Sequence, residues 1–387
     1  MLLTTQTEAF YLPDNITYLN QAYMSPLARR VEQAGLEGMA RTRSPYLFPA
    51  DEFFAPVEKL RQAFARLIDC DAPGRVVLVS SVSYGMANVA QNIVCQPGDE
   101  IIVAEGQFPS NVLPWQTLSA MQSASIKTIP APAPAENRGK IWNERILEAI
   151  GPKTRLVALP QVHWADGTRF DLLAIRARTR EVGALLVIDG TQSVGALPLS
   201  IAEIQPDALV CAGYKWLLGP YSTALAYYGP HFDTGRPIEE NWVNRQDSDR
   251  FEALQAYEPR YRPEAIRFEM GQRNSFILLP MMQAALDLVN EWQAARIQEY
   301  ARGLWQTFAK DFAQLGFGLE EETYRAAHLF GLRIPEAALR QKIANSLREA
   351  QVYVSWRGES LRISLHLYNR ARDLVKLLEI LNQCQKS

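Results

Sequence analysis

At 387 residues the chain exceeds what one ordinary core requires, and its 48% hydrophobic and 21% charged residues exclude a disordered polymer. A formal net charge of −2 leaves no basic field for nucleic acid or an anionic membrane, and no apolar stretch reaches the roughly eighteen residues of a membrane span. Cys70, Cys95, Cys211 and Cys384 are scattered without C-x-x-C spacing, which indicates neither a zinc site nor a disulfide framework.

The start, Met1 to Glu8, lacks a basic segment followed by a long apolar one, so a soluble cytoplasmic enzyme is expected. Strand-like runs then recur at Arg75–Val79, Glu100–Ala104, Arg155–Leu159, Ala184–Ile188 and Ala208–Val210. They are apolar throughout rather than alternating, as strands covered on both faces of a mostly parallel sheet must be. Helical spacing at Tyr84–Val94 and Leu172–Val182 completes an α/β rhythm, and Thr223–Tyr228 reads as a further strand, antiparallel to its neighbours. Pro130–Pro134 is a short proline-rich loop. Residues 230–265, rich in charge, proline and aromatics, read as an irregular excursion, and Pro280–Phe312 as one or two long helices. A strand at Leu329–Ile334, a helix at Ala338–Ala350, a strand at Leu361–Leu367 and a helix at Asp373–Gln383 form a compact α+β unit.

Open α/β sheets bind ligands beyond the carboxyl ends of their strands. Lys215 follows the Ala208–Val210 run between Tyr214 and Trp216; a lysine there loses hydration, its pKa falls, and its free amine can form a Schiff base with a carbonyl. Asp189 ends the preceding strand, with Gln192 three residues on; a carboxylate there either caps a loop or faces a pyridinium nitrogen. Ser83, with Tyr84, opens the helix after Val79, suited to a phosphate or acting as a plain N-cap. Phe108, beside Pro109, either stacks on a planar ring or packs, and His163 is a pocket-lining candidate. In Ser360–Leu367, alternation sets Arg362, Ser364 and His366 on one face, either solvated or clamping a carboxylate through Arg362. A G-x-G-x-x-G fingerprint, which a Rossmann oxidoreductase would need, is absent.

Tyr18-Leu19-Asn20-Gln21-Ala22, Asp189-Gly190-Thr191-Gln192, Gly213-x-Lys215-x-Leu217 with Gly219-Pro220, Arg267-Phe268-Glu269-Met270-Gly271 and Arg362-Ile363-Ser364 together resemble the class V aminotransferase family. That family of fold-type I pyridoxal-phosphate enzymes includes cysteine desulfurases, kynureninases and isopenicillin-N-epimerase-like proteins. The resemblance implies a mostly parallel seven-stranded sheet in a large domain (residues 21–270) and a smaller α+β domain (1–20 plus 271–387). It implies Lys215 as the Schiff-base and proton-transfer lysine, Asp189 on the pyridine nitrogen and Gln192 on the phenolic oxygen. Ser83 and Tyr84 fall at the phosphate, Phe108 over the ring, Tyr214 as a hydroxyl beside the cofactor, and Arg362, with Asn20 and His163, toward the amino-acid substrate. Gln272 falls where the family reaches a partner's phosphate, implying a homodimer with active sites at its interface.

Two departures narrow the chemistry. Ala212 stands where desulfurases carry a phosphate-binding serine, and no cysteine lies between Cys211 and Cys384, so a persulfide has no evident carrier. Transamination at the α-carbon is expected, with a lyase or epimerase as the alternative.

Overall fold

The computed structural model describes residues 3–133 and 137–386. Met1, Leu2, Pro134, Ala135, Glu136 and Ser387, which fall within segments named above, lie outside the described residues. The chain opens with a short strand, β1 (Thr17–Tyr18), and two helices, α1 (Arg29–Arg41) and α2 (Ala55–Leu67). Strands and helices then alternate: β2 (Val76–Val79), α3 (Val82–Gln91), β3 (Glu100–Ala104), α4 (Leu113–Gln122), β4 (Ser125–Ile129), α5 (Arg138–Ala149) and β5 (Thr154–Pro160). The rhythm continues through α6 (Leu172–Val182), β6 (Leu185–Asp189), α7 (Ile201–Ile204), β7 (Ala208–Ala212) and β8 (Ala224–Tyr228).

These strands form a seven-stranded sheet in the order β2-β8-β7-β6-β5-β3-β4. Only β8 runs against the rest, paired antiparallel to β2 and to β7. The pleat explains why the runs are apolar throughout. Val76 and Leu78 face a core built with α2, α5 and α6, while Val77 and Val79 face the opposite core built with α3 and α4. β4 escapes the sequence reading because it is an edge strand, only partly buried and carrying Lys127 and Thr128.

The 230–265 segment contains only short 3-10 turns, as its composition suggests. The long helical stretch resolves into α8 (Leu278–Trp292), α9 (Ala294–Gln306) and α10 (Ala309–Gln314). α8 places Leu279, Met282 and Leu286 in the large sheet's core, although the sequence reading assigns it to the small unit. The last unit contains β9 (Leu329–Arg333), α11 (Ala337–Glu349), β10 (Val352–Tyr353), β11 (Ser355–Arg357), β12 (Ser360–Ser364) and α12 (Ala371–Lys386). Its three-stranded sheet, in the order β11-β12-β9, is antiparallel, and β1 pairs with β10. β12 stops at Ser364, short of the expected Leu367, because the Ser364 and Leu365 amides turn to the carbonyls of Leu19 and His328. Among the described residues no helix is long and apolar enough to cross a membrane.

Candidate active site

Beyond the carboxyl ends of β2, β3, β5, β6 and β7 lies a cavity of about 410 Å³. The loops after these five strands deliver side chains to it, as the geometry of an open sheet requires. Lys215 enters from the loop after β7. Gly213 begins that loop, and a Cβ there would lie 2.5 Å from Thr223 Oγ1 and 2.8 Å from Thr223 O. Only glycine permits this approach, which lets the Gly213 amide donate to Thr223 O at 2.8 Å and closes the loop under the lysine. Gln21 Nε2 donates to the Lys215 carbonyl at 2.8 Å, fixing the backbone from the other side.

Lys215 is only 6% exposed, and its Nζ lies 5.4 Å from the Phe108 ring centre and 5.6 Å from that of Tyr214. Burial, followed by the charge of Arg362, pulls its amine down to about 8, against the opposing pull of Asp189. Trp216, the other flanking aromatic, turns under the site. Its Nε1–H donates to Gln192 Oε1 at 2.8 Å, while Gln192 Nε2 donates to Ala22 O at 3.1 Å. These two bonds fix the Gln192 carboxamide, and the residue lines the cavity.

Asp189 is buried at the end of β6. Burial pushes its carboxyl above the usual range, held back by hydrogen bonding from Thr191 and by the Lys215 charge. The Thr191 amide donates to Asp189 Oδ1 at 2.9 Å, and Thr191 Oγ1 accepts from the Ala212 amide at 3.2 Å. A buried acid with a raised pKa and an open cavity before it fits a cationic ring nitrogen.

At the opposite end, Ser81 rather than Ser83 is the cap of α3, accepting from the Tyr84 amide at 3.1 Å. That frees Ser83, whose Oγ lies 3.0 Å from Ser110 Oγ on the cavity wall. The hydroxyls of Ser81, Ser83 and Ser110 surround a ten-residue helix's N-terminus, a donor set suited to a phosphate. Asn111 Nδ2 and Gln107 Oε1, also on the wall, are buried without partners. Together these groups fit pyridoxal phosphate: donors for the ester, an acid for the ring nitrogen and an amine for the aldehyde.

Several expected side chains lie elsewhere. Tyr84 Oη donates to Glu239 Oε2 at 2.8 Å, and burial with that carboxylate raises its phenol. Tyr84 does not line the cavity. His163 does not either: its ring nitrogens face Asp166 Oδ1 and Glu105 O, each at 3.2 Å, and its ring packs on Trp142. Val162 and Trp164 form that wall instead. Asn20 Oδ1 accepts from Ser355 Oγ at 2.8 Å, linking β11 to the start of the chain without reaching the cavity. Gln272 is exposed, with φ at 53°, away from its own chain's cavity.

Arg362 is 1% exposed, so the polar face of its strand is buried rather than solvated; it does not line the cavity itself but stands against Trp164, which does. Its NH1 donates to Trp164 O at 2.9 Å, while Nε and NH2 have no partner. Burial, then the charge of Arg357, brings its guanidinium down to about 9. Two idle buried donors on a guanidinium within electrostatic reach of Lys215 suit a carboxylate.

Thr191, Ser81, Ser110, Asn111, Trp164 and Thr223 line the cavity without having been singled out in the sequence. Thr191 was within reach of it: a threonine two residues after a strand-end acid is placed to bond it.

A family model for class V aminotransferases matches residues 42–377. An uncharacterized aminotransferase of Bacillus subtilis (strain 168) is 26% identical over 328 residues, covering 84% of this chain and 82% of that protein. Isopenicillin N epimerase of Amycolatopsis lactamdurans is 24% identical over 408 positions, covering 98% of each. Among solved structures, an apo cysteine desulfurase from Thermococcus onnurineus NA1 superposes with a TM-score of 0.84 at 18% identity, covering 99% of each chain.

Proposed function

The chain belongs to the class V aminotransferase family, whose cofactor is pyridoxal phosphate, and on that footing we propose that it is an aminotransferase acting at the α-carbon of an amino acid through Lys215. One observation carries the reading: a desolvated lysine and a buried carboxylate converge on one cavity that ends at a serine-lined helix N-terminus. When bound, pyridoxal phosphate supplies an electron sink for charge left at the α-carbon.

The chain's own groups supply the rest. Ser81, Ser83 and the first amides of α3 would hold the phosphate, and Phe108 is the wall residue that would lie against the ring. Asp189 would keep the ring nitrogen protonated, and Gln192 would bond the phenolic oxygen. Lys215, whose amine is increasingly neutral above pH 8, is the group that would hold the cofactor aldehyde, and its Nζ is the base placed to take and return the proton at the α-carbon. Arg362 fixes the substrate carboxylate.

A homodimer belongs to the proposal. Gln272 is exposed and so open to a partner's site, and Tyr46, Leu47 and Tyr257 are large apolar side chains left exposed. A reducing, cytoplasmic setting agrees with four free cysteines. The full-length likeness to an epimerase favours a second reading, in which the proton at the α-carbon is exchanged and the amino group stays.

The test is product analysis. Purified protein with cofactor, an amino-acid donor and an α-keto acid acceptor should yield the acceptor's amino acid, read by chromatography. Release of a side-chain fragment without acceptor supports a lyase. Solvent deuterium at the α-carbon without amino transfer supports the epimerase; either result removes the transaminase reading.

A further inference from the structure

We propose that the substrate end of this cavity is built for an amino acid carrying a second carboxylate on its side chain, and that Arg357 selects it. The inference rests on the lysine-bound cofactor reading above. In the β11–β12 ladder Ser355 stands opposite Arg362, and Arg357 opposite Ser360. Directly opposed residues share a face, so Arg357 and Arg362 are diagonal neighbours on one side of the hairpin, within reach of a single ligand. Both guanidiniums sit against the ring of Trp164, at 5.1 Å for Arg357 and 6.0 Å for Arg362; Trp164 is part of the cavity wall, and the two arginines lie beside it rather than on the wall itself.

Neither arginine is satisfied. Arg357 NH1 donates to the Trp356 carbonyl at 2.7 Å and Arg362 NH1 to the Trp164 carbonyl, yet Arg357 Nε and Arg362 Nε and NH2 are buried without partners. Among the described residues the hydrogen bonds of both guanidiniums go to main-chain carbonyls, and Asp189 is the one acid on the cavity wall. With Asp189 matched to the ring nitrogen and Lys215 joined to the cofactor, two guanidinium charges remain. An α-carboxylate balances one of them. A side-chain carboxylate balances the other, and its two oxygens match the planar donor edge that Arg357 leaves open. The mutual repulsion of the arginines, which contributes to lowering Arg362, is relieved by a dianion.

The holoenzyme tests this with pairs of equal shape and unequal charge. Glutamate against glutamine, and aspartate against asparagine, are compared as kcat/KM. In parallel, glutarate and butyrate are titrated against the visible cofactor band as non-reacting ligands. The acid should exceed its amide by about tenfold or more, and glutarate should bind about tenfold more tightly than butyrate, as loss of one charge-assisted pair implies. Arg357→Met should bring both ratios close to one, with Arg357→Lys between. Equal ratios in the wild-type protein overturn the proposal, and so does a preference that survives Arg357→Met. A wild-type protein without a cofactor band overturns the reading beneath it instead, and the proposal with it.

Discussion

Lys215 costs the fold something, because an ammonium in its place gives up water for the faces of Phe108 and Tyr214. Its folded value of about 8 lies below the ordinary 10.5. Between those values the unfolded chain binds the extra proton, so the lysine's contribution to the stability of the cofactor-free protein rises with pH across that window. The same shift sets reactivity. Capture of pyridoxal phosphate by cofactor-free protein should be half-maximal near pH 8 and level above it; stopped-flow absorbance reads the profile, and a rate still climbing at pH 10 would show an ordinary, solvated lysine. Lys215 and Asp189 were legible in the sequence because each closes an apolar run, and strand ends are where such sheets bind. Their neighbours were not. Whether His163 or Trp164 faces the cavity depends on Asp166 and Glu105 claiming the imidazole, and no local pattern encodes that partnership.

At the scale of elements, the start of α3 joins stability to binding. Ser81→Ala removes the cap, which should cost about 1 kcal/mol in denaturant melts and weaken cofactor binding as well. Ser83→Ala should weaken binding while leaving the melt nearly unchanged, since Ser83 caps nothing. Glu269, from the Arg-Phe-Glu-Met-Gly motif, proves to be structural: it lies buried between Arg61 and Arg273 and accepts from the Leu78 amide at 2.9 Å. It thereby ties α2 and the segment before α8 to β2. Glu269→Gln leaves two buried guanidiniums poorly compensated and should cost about 3–5 kcal/mol, read as a fall in the unfolding midpoint. The α6 helix was legible to the residue from its apolar spacing, and the structure ends it on Gly183, in the left-handed region at φ 72°. The short strands β10 and β11 were not, because two or three residues carry too little periodicity to stand out.

Across the whole molecule, one sheet gathers the site by sending the loops after β2, β3, β5, β6 and β7 to a common edge. The α/β rhythm made that architecture legible, including the reversed strand β8. The strand order was beyond local pattern, since it depends on which crossovers pack, and so was the attachment of α8 to the large core. Light scattering should give twice the chain mass, with the surface around Tyr46 and Tyr257 buried; charged substitutions there (Leu47→Glu with Tyr257→Glu) should produce monomers of lower cofactor affinity. The account stands most directly on a single covalent bond. Protein incubated with pyridoxal phosphate, reduced with borohydride and mapped by peptide mass spectrometry should carry the pyridoxyl group on Lys215, with the visible band absent from Lys215→Ala. A pyridoxyl group on another lysine, or a band that persists in Lys215→Ala, would contradict it.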